Sequence, residues 1–225
     1  MSDQDRLPLS KTLDPADFAL LPKELAIVDR HFATAIPQHP MRRWEYALAL
    51  WAIWHWKDGR DARYPRGIVD VGGNGSPFWR MAAPLTAWVQ VIDPAENTTL
   101  ETYLTSLASR PTLVDVVTCI SVLEHVEDLD QFCYHLSCLV APGGLLFLTM
   151  DYCDGFADAR DAFRVPDTYH FHWMRKRIFN SFAVEQLIAG FYRQSFTLFG
   201  DADYTWHGPQ VYDYTFASLA LVKRA

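Results

Sequence analysis

The sequence lacks the features that mark secreted and membrane-spanning proteins. Among its 225 residues the cysteines form no Cys-x-x-Cys pair and are too few for a disulfide-dense secreted scaffold. The longest apolar run, Tyr46 to Trp54, is less than half of the ~20 residues that a helix needs to cross a bilayer. The polar N-terminus shows no apolar segment of a secretory signal. These absences predict a cytoplasmic protein that does not use a membrane as partner.

Positive charge is also scarce. The chain carries 20 Lys and Arg residues against 27 Asp and Glu residues, which gives a net charge of −7. Proteins that bind nucleic acids neutralise phosphates with Lys and Arg, so a nucleic-acid partner is not expected. Apolar residues make up 50% of the chain and aromatic residues 14%, which excludes a disordered protein. We therefore expect one main folded domain with short appendages.

For residues 1–60, the sequence predicts an N-terminal tail and a helical cap. Residues 1–13 are expected to form a loose tail, and Asp14-Pro15 is a typical helix start. A second helix is predicted at about 24–36. A third, at 41–57, is apolar almost all round its circumference, which is typical of a helix packed between two layers.

From residue 61 onwards, apolar strands alternate with amphipathic helices. Such alternation predicts an α/β fold with a parallel sheet that is covered on both faces. The loop of about fifteen residues before the last strand shows no crossover helix, so the last two strands are expected to be antiparallel neighbours. The predicted elements are strands 67–71, 88–92, 114–120 and 145–150, a helix at 128–141 that ends at Pro142-Gly143-Gly144, a helix at 181–190, and strands 194–199 and 215–223.

Three signals fall at predicted carboxyl ends of strands, where open α/β sheets bind their ligands. The first is the glycine cluster that follows Asp70, in residues 70–76. On its own it indicates either a tight turn or a loop that approaches a ligand closely. The second is Asp93, at a distance where a carboxylate often holds a ribose diol. The third is the turn from strand into helix at residues 120–125.

Together these segments resemble the class I S-adenosylmethionine-dependent methyltransferases. The resemblance is strong over residues 65–155 and weaker over 180–224. The matching segments are Ile68-Val69-Asp70-Val71-Gly72, Val91-Ile92-Asp93-Pro94, residues 114–126 with the helix and Pro142-Gly143-Gly144 after them, and residues 214–222. Some family members also carry a Trp-Glu-Tyr helix like Trp44-Glu45-Tyr46 and a Ser-Pro-Phe segment like Ser76-Pro77-Phe78.

The resemblance implies a Rossmann-like, doubly wound and mostly parallel sheet with an antiparallel last strand, in a methyltransferase domain at residues 61–225. It implies S-adenosyl-L-methionine as cofactor and transfer of its methyl group to oxygen or nitrogen of a small or medium-sized acceptor. In the family, glycines lie against the cofactor, Asp93 would take the ribose hydroxyls, and Asp70 would order the loop or meet the amino group through water. The implied cofactor-binding residues are Asp70, Gly72, Gly73, Asn74, Ser76, Asp93, Pro94, Ser121 and Val122.

The sequence departs from the family pattern in two places. Asn74 and Ser76 stand where the family usually has glycine, although Asn tolerates a positive φ better than most residues. Between Asp93 and Val114 there is room for about one crossover element, which the apolar spacing predicts to be a helix. An edge strand, and with it the acid that often reads the adenine amine, is therefore expected to be missing.

The sequence does not single out a catalytic base, but a hydroxyl acceptor would benefit from one. The candidates are His125, Asp151, Tyr152, His170, His172 and His207. His170 and His172 could also contribute to a metal site with Asp201, Asp203 and His207. The spacing matches no metal motif, however, and no metal is predicted.

Aromatic residues from the two regions that flank the motifs suggest an aromatic-walled substrate pocket. The candidates for this pocket are Trp44, Tyr46, Trp206 and Tyr212. For the helix at 41–57, simple filling of the core explains the aromatic residues equally well.

Two alternatives to a methyltransferase stay open from the sequence. One is a methyltransferase-like domain without catalysis that serves as a binding or scaffold subunit, since Asn74 and Ser76 alter the glycine loop. The other is a nicotinamide-dependent oxidoreductase, which the missing third glycine disfavours. The sequence predicts neither the acceptor nor the oligomeric state.

Overall fold

The computed structural model describes residues 8–32, 42–58, 65–107, 113–154, 163–166, 173–176, 178–205 and 215–225. The helices are α1 (Asp17–Leu20), α2 (Pro22–Phe32), α3 (Arg42–Asp58), α4 (Phe78–Ala82), α5 (Leu100–Leu107), α6 (Leu129–Leu139) and α7 (Ser181–Arg193). The strands are β1 (Ser10–Lys11), β2 (Gly67–Val71), β3 (Trp88–Ile92), β4 (Val114–Ile120), β5 (Val140–Tyr152), β6 (Phe163–Pro166), β7 (Trp173–Lys176), β8 (Phe196–Leu198), β9 (Ala202–Asp203) and β10 (Thr215–Lys223). Within these ranges, no helix is both long and apolar enough to span a bilayer.

A six-stranded sheet with the order β3-β2-β4-β5-β10-β8 forms the centre of the molecule. Strands β3, β2, β4 and β5 are parallel, and β10 is inserted antiparallel between β5 and β8. This topology confirms the predicted α/β fold with a mostly parallel sheet and an antiparallel last strand. It also confirms that the last two strands of this sheet are antiparallel neighbours.

The central strands are mostly apolar and largely buried because helices cover both faces of the sheet. One face packs against the N-terminal helices α2 and α3 and against α4, and the other packs against α5, α6 and α7. Helix α3 is buried on nearly all sides, as its apolar circumference predicts. The predicted domain boundary at residue 60 lies outside the described residues, but α3 and the sheet share one core.

A single α-helix, α5, connects β3 to β4 in the part of this interval that the structure describes, after a short 3-10 turn at Pro94–Glu96. Strand β3 is the outermost strand of the described sheet on that side, and its residues alternate between exposed and partly buried positions. The indole of Trp88 lies against Gly67, where a Cβ would be 2.1 Å from the ring. The expectation that one edge strand is missing therefore agrees with the described residues.

Several predicted boundaries were wrong. Helix α2 begins at Pro22 instead of residue 24, and α6 ends at Leu139. Strand β5 starts at the next residue, so Pro142-Gly143-Gly144 lies inside β5 at a shift in register. A Cβ at Gly144 would come within 2.9 Å of the Asp115 carbonyl oxygen, which explains a glycine inside this strand.

The expectation of a loose tail over residues 1–13 was wrong for its last part. Strand β1 pairs in parallel with β9, and Leu9 and Leu13 are buried. The Ser218 hydroxyl donates to the Leu9 carbonyl oxygen over 2.9 Å, and the Ala220 amide donates to the Ser10 hydroxyl over 3.0 Å. The segment is ordered by contacts with β10 that lie about two hundred residues away in sequence.

Asp17 joins this segment to the helical layer. Its Oδ1 lies 2.7 Å from Lys11 Nζ, and its Oδ2 accepts a hydrogen bond of 2.8 Å from Trp44 Nε1. All three side chains are buried. Trp44 is therefore a core residue in this structure, which agrees with the alternative that the aromatic residues of this helix fill the core.

We expect Asp17→Asn to lower the free energy of unfolding by about 3–5 kcal/mol, because it removes one partner of a buried ion pair and leaves the Lys11 ammonium uncompensated. Urea denaturation of the purified protein measures this change. The matched control is Asp29→Asn, since Asp29 pairs with Arg43 at the surface, where its side chain is 49% exposed. The control is expected to lower the free energy of unfolding by at most about 1 kcal/mol. Equal decreases in both variants would contradict the role of Asp17 in a buried ion pair.

Candidate functional site

The candidate site lies where the strand order of the sheet reverses. From β2 the chain passes to β3 on one side, and it returns to β4 on the other side of β2. The carboxyl ends of β2 and β4 are therefore neighbours at a switch point, the place where open α/β sheets bind ligands. Gly72 follows β2 with φ 77°, and Ser121 follows β4 with φ 52°. Both strand ends thus turn sharply in the left-handed region.

Two cavities meet at these strand ends. The large cavity, of about 520 Å³, lies over the ends of β2 and β3. The small cavity, of about 200 Å³, lies over the glycine loop and the first turns of α3. Val71, Gly72 and Ser121 line both. The other predicted cofactor-binding residues are divided between them: Asp93, Pro94 and Val122 line the large cavity, and Asp70, Gly73, Asn74 and Ser76 line the small one.

Gly72 and Gly73 have specific steric reasons to be glycine. A Cβ at Gly72 would lie 2.3 Å from Cγ2 of Val122, and one at Gly73 would lie 2.2 Å from Oδ2 of Asp70. The second left-handed residue of the loop is Gly75, with φ 74°, while Asn74 does not have a positive φ. The turn is therefore formed without the glycine that the family usually has at position 74.

Asp93 joins the glycine loop to the end of β3. Its Oδ1 accepts a hydrogen bond of 2.9 Å from the Ala95 amide, and its Oδ2 accepts one of 3.2 Å from the Asn74 amide. The carboxylate is half-buried and borders the large cavity. It can therefore accept further hydrogen bonds from hydroxyl groups of a ligand in that cavity.

Asp70 presents a buried carboxyl group to the small cavity. Its side chain is 2% exposed, its Oδ1 accepts a hydrogen bond of 2.8 Å from Thr118 Oγ1, and its Oδ2 has no hydrogen-bond partner among the described residues. Burial raises the pKa of Asp70 to about 7, and the nearby charge of Asp93 adds to the rise while the Thr118 hydroxyl opposes it. A cation in the small cavity would therefore favour the ionised form of Asp70.

Glu45 fixes the backbone of Ser121 from the other side of the site. Its Oε1 accepts hydrogen bonds from Ser121 Oγ, over 2.6 Å, and from Thr149 Oγ1, over 2.5 Å. The Ser121 amide in turn donates to Thr149. Burial raises the pKa of Glu45, which Arg42 and the two hydroxyl groups oppose. Helix α3 is thereby tied to the ends of β4 and β5.

Arg42 and Tyr46 bring the first turns of α3 to the small cavity. The Tyr46 hydroxyl lies 3.3 Å from Ser76 Oγ, and its ring stacks on Phe78 at a centroid distance of 5.9 Å. Burial raises the pKa of Tyr46. Arg42 and Glu45 were not predicted as site residues. The available signal was a pair of charged side chains, three residues apart, at the start of a helix that is apolar from Tyr46 to Trp54.

The structure separates the candidate catalytic bases. His125 is exposed and borders the large cavity. Asp151 is buried near the end of β5. Tyr152 is fully buried and donates to Asp154 Oδ1 over 2.7 Å, and burial raises its pKa further above the ordinary range, so it is poorly suited to act as a base.

The remaining candidates, His170, His172, His207, Trp206 and Tyr212, lie outside the described residues. Within the described ranges, no three His, Cys, Asp or Glu side chains are grouped in a way that could hold a metal ion.

The chain is similar to methyltransferases both in sequence and in structure. The chain is 32% identical over 111 residues to the ubiquinone biosynthesis O-methyltransferase of Cupriavidus pinatubonensis, which covers 42% of this chain and 45% of that protein. It is 32% identical over 109 residues to the protein of the same name from Colwellia psychrerythraea, which covers 41% and 44%. The chain thus spans about half the length of the curated relatives it matches. No protein-family model matches it.

Among solved structures, the N-methyltransferase NodS of Bradyrhizobium japonicum superimposes with a TM-score of 0.51 at 14% identity, covering 89% of this chain and 98% of that chain. A methyltransferase from Clostridium acetobutylicum superimposes with a TM-score of 0.50 at 11% identity, covering 91% and 99%. The chain has the class I methyltransferase fold. The family resemblance that the motifs predicted is thereby confirmed at the level of the fold.

We expect Glu45→Ala to lower the free energy of unfolding by about 2–4 kcal/mol, because two buried hydroxyl groups, on Ser121 and Thr149, lose their shared acceptor. Glu45→Gln keeps a carbonyl oxygen in the same place and is expected to cost clearly less. Urea denaturation of both variants measures the difference. If Gln were as damaging as Ala, the acceptor role of Oε1 would be refuted.

Proposed function

We propose that the protein is an S-adenosyl-L-methionine-dependent methyltransferase that acts on oxygen or nitrogen of a small or medium-sized acceptor. The observation that carries the proposal is the pair of cavities that meet at Gly72 and Ser121. The large one has the volume for a nucleoside, and the small one has the volume and the charged groups for an amino acid. The cofactor is a molecule of these two parts.

The residues present fit this cofactor. Asp93 would accept hydrogen bonds from the ribose hydroxyls, and Pro94 and Val122 would border the nucleoside. Leu100 and Phe132 supply apolar surface in the large cavity, which suits the faces of a purine. Gly72 would let the backbone approach the ligand closely, and Gly73, Asn74 and Ser76 would border its methionine part.

The charges of the large cavity disfavour a cofactor with phosphate groups. Three carboxylates, those of Asp93, Glu101 and Asp128, border it, and its described lining contains neither Lys nor Arg. Pyrophosphate binding normally relies on backbone amides at a helix start or on cations. This distribution favours a nucleoside without phosphate over a nicotinamide dinucleotide.

When bound, the cofactor supplies an electrophilic methyl group on its sulfonium, so the protein needs little chemistry of its own. The residues of the chain hold the cofactor, orient the acceptor and exclude water from the reacting atoms. His125 and Asp151 stay the described candidates for taking a proton from a hydroxyl acceptor. The names of the curated relatives, both O-methyltransferases, support an oxygen acceptor. Tyr46, Trp206 and Tyr212 stay candidates for the wall of the acceptor pocket.

Titration calorimetry with S-adenosyl-L-methionine, S-adenosylhomocysteine and NAD tests the proposal. We expect the first two to bind and NAD not to bind. Binding of NAD alone would indicate the oxidoreductase, and binding of none would indicate a scaffold domain.

Asp93→Asn is expected to lower the affinity for S-adenosylhomocysteine about 10- to 100-fold, since hydrogen bonds to a charged group contribute about 1.5–3 kcal/mol. Glu96→Gln, an exposed acid close by, is the matched control and should leave the affinity unchanged.

The affinity should also depend on pH through Asp70. Below its raised pKa of about 7, Asp70 holds a proton, and a ligand ammonium group beside it favours loss of that proton. Binding of S-adenosylhomocysteine should therefore weaken as the pH falls, by about 20-fold from pH 7.5 to pH 5.5 if only the ionised form binds. Asp70→Asn should bind more weakly at pH 7.5 and lose this dependence. Calorimetry at both pH values measures this change in affinity. If the affinity of Asp70→Asn still falls between pH 7.5 and pH 5.5, the pH dependence belongs to another group.

A further inference from the structure

Arg42 is the one cation among the described residues that line the small cavity. It is the first residue of α3 and shares the cavity with Asp70, Tyr46 and the glycine loop. The residue is partly exposed and lines this cavity. A guanidinium group in such a place can meet a ligand directly.

The guanidinium group of Arg42 is not used to bind another part of the protein that the structure describes. The ion pairs of the described residues are Lys11–Asp17, Arg43–Asp29 and Arg66–Asp115, and Arg42 takes part in none of them. Its side chain also makes no hydrogen bond to a described residue. Arginine has five N–H donors in a fixed planar arrangement, so leaving them without acceptors in a partly buried place is unfavourable unless a ligand or water supplies acceptors.

The surroundings keep Arg42 charged. Burial alone would lower its pKa, but the carboxylates of Glu45, Glu124 and Asp151, with the phenol of Tyr46, raise it. These carboxylates lie beyond ion-pair distance, so they stabilise the charge without occupying the donors.

The small cavity therefore offers opposite charges to a single ligand: the guanidinium of Arg42 and the carboxyl Oδ2 of Asp70, which has no described partner. An α-amino acid group carries the complementary pair, a carboxylate and an ammonium. We propose that Arg42 binds the carboxylate of the methionine part of the cofactor, with Asp70 on the side of the ammonium. This assignment rests on the proposed function. A planar guanidinium suits a carboxylate because two parallel N–H···O bonds can form.

The helix holds Arg42 in place for this task. Glu45, one turn further along α3, is bonded to Ser121 and Thr149 at the ends of β4 and β5. Because residues three apart lie on one face of a helix, the first turn of α3 is fixed against the strand ends that line the cavity. Arg43 lies on a different side of the helix, where it pairs with Asp29 of α2.

The test compares two ligands that differ only in the carboxylate. S-adenosylhomocysteine carries it, and its decarboxylated analogue, S-adenosyl-3-thiopropylamine, keeps the amine but lacks it. Calorimetry should show that the unaltered protein binds S-adenosylhomocysteine at least about tenfold more tightly. Arg42→Met should lower the affinity for S-adenosylhomocysteine about 10- to 100-fold and change the affinity for the analogue less than about threefold.

Two further variants complete the experiment. Arg43→Met removes the same charge from the neighbouring residue and should leave both affinities unchanged. Arg42→Lys keeps the charge but loses the planar guanidinium. It should therefore lower the affinity for S-adenosylhomocysteine by less than Arg42→Met does, and leave the affinity for the analogue unchanged. If circular dichroism shows that Arg42→Met does not fold, Arg42→Lys replaces it as the test variant.

The possible failures are distinguishable. If Arg42→Met and Arg42→Lys leave the affinity for S-adenosylhomocysteine unchanged, or weaken both ligands equally, the assignment of Arg42 is overturned while the proposed function stands. If the unaltered protein binds neither ligand, the proposed function fails and this inference fails with it.

Discussion

The close approach of two neighbouring strand ends is the constraint on which the rest of the site depends. Val122 comes so near to Gly72 that no other residue fits there without displacement, and Ser121 beside it holds a left-handed backbone that favours glycine. That conformation persists because Thr149 and Glu45 bond both the amide and the hydroxyl of Ser121. A helix from the N-terminal segment thus stabilises a backbone geometry set by the sheet, and both cavities open from that point.

The site concentrates carboxylates where burial makes them costly. Glu45 and Asp70 both have raised pKa values because burial disfavours their ionised forms. In proteins, apolar side chains of similar volume are often at least as stabilising as buried charged groups, so such groups at strand ends are expected where a ligand supplies the compensating charge. The site's acids suit a ligand with a sulfonium and an ammonium, and one guanidinium suits its carboxylate.

Local patterns predicted the central fold well. The strands at 67–71, 88–92, 114–120 and 215–223 have the predicted bounds, because apolar runs between Gly, Asp and Pro determine them. The pairing of β1 with β9 and the contact of Asp17 with Trp44 were missed, since they depend on residues distant in sequence. Glu45 was missed as a site residue for the same reason: its partners lie 76 and 104 residues away and leave no periodic signal.

The short interval after β3 changes how a nucleoside could be recognised. In the described residues β3 is the outer strand, and Leu100 at the start of α5 and Phe132 of α6 line the large cavity. Apolar surfaces of this kind accept any flat ring and discriminate poorly between bases. Under the proposed function, discrimination between bases would fall to the polar side chains that border the same cavity, among them Glu101, Asp128 and Gln131, while Asp93, Asp70 and Arg42 would select the ribose and amino acid ends. Within the described residues no strand lies beyond β3, so recognition of a nucleoside would depend on side chains of α5, α6 and the loops next to them.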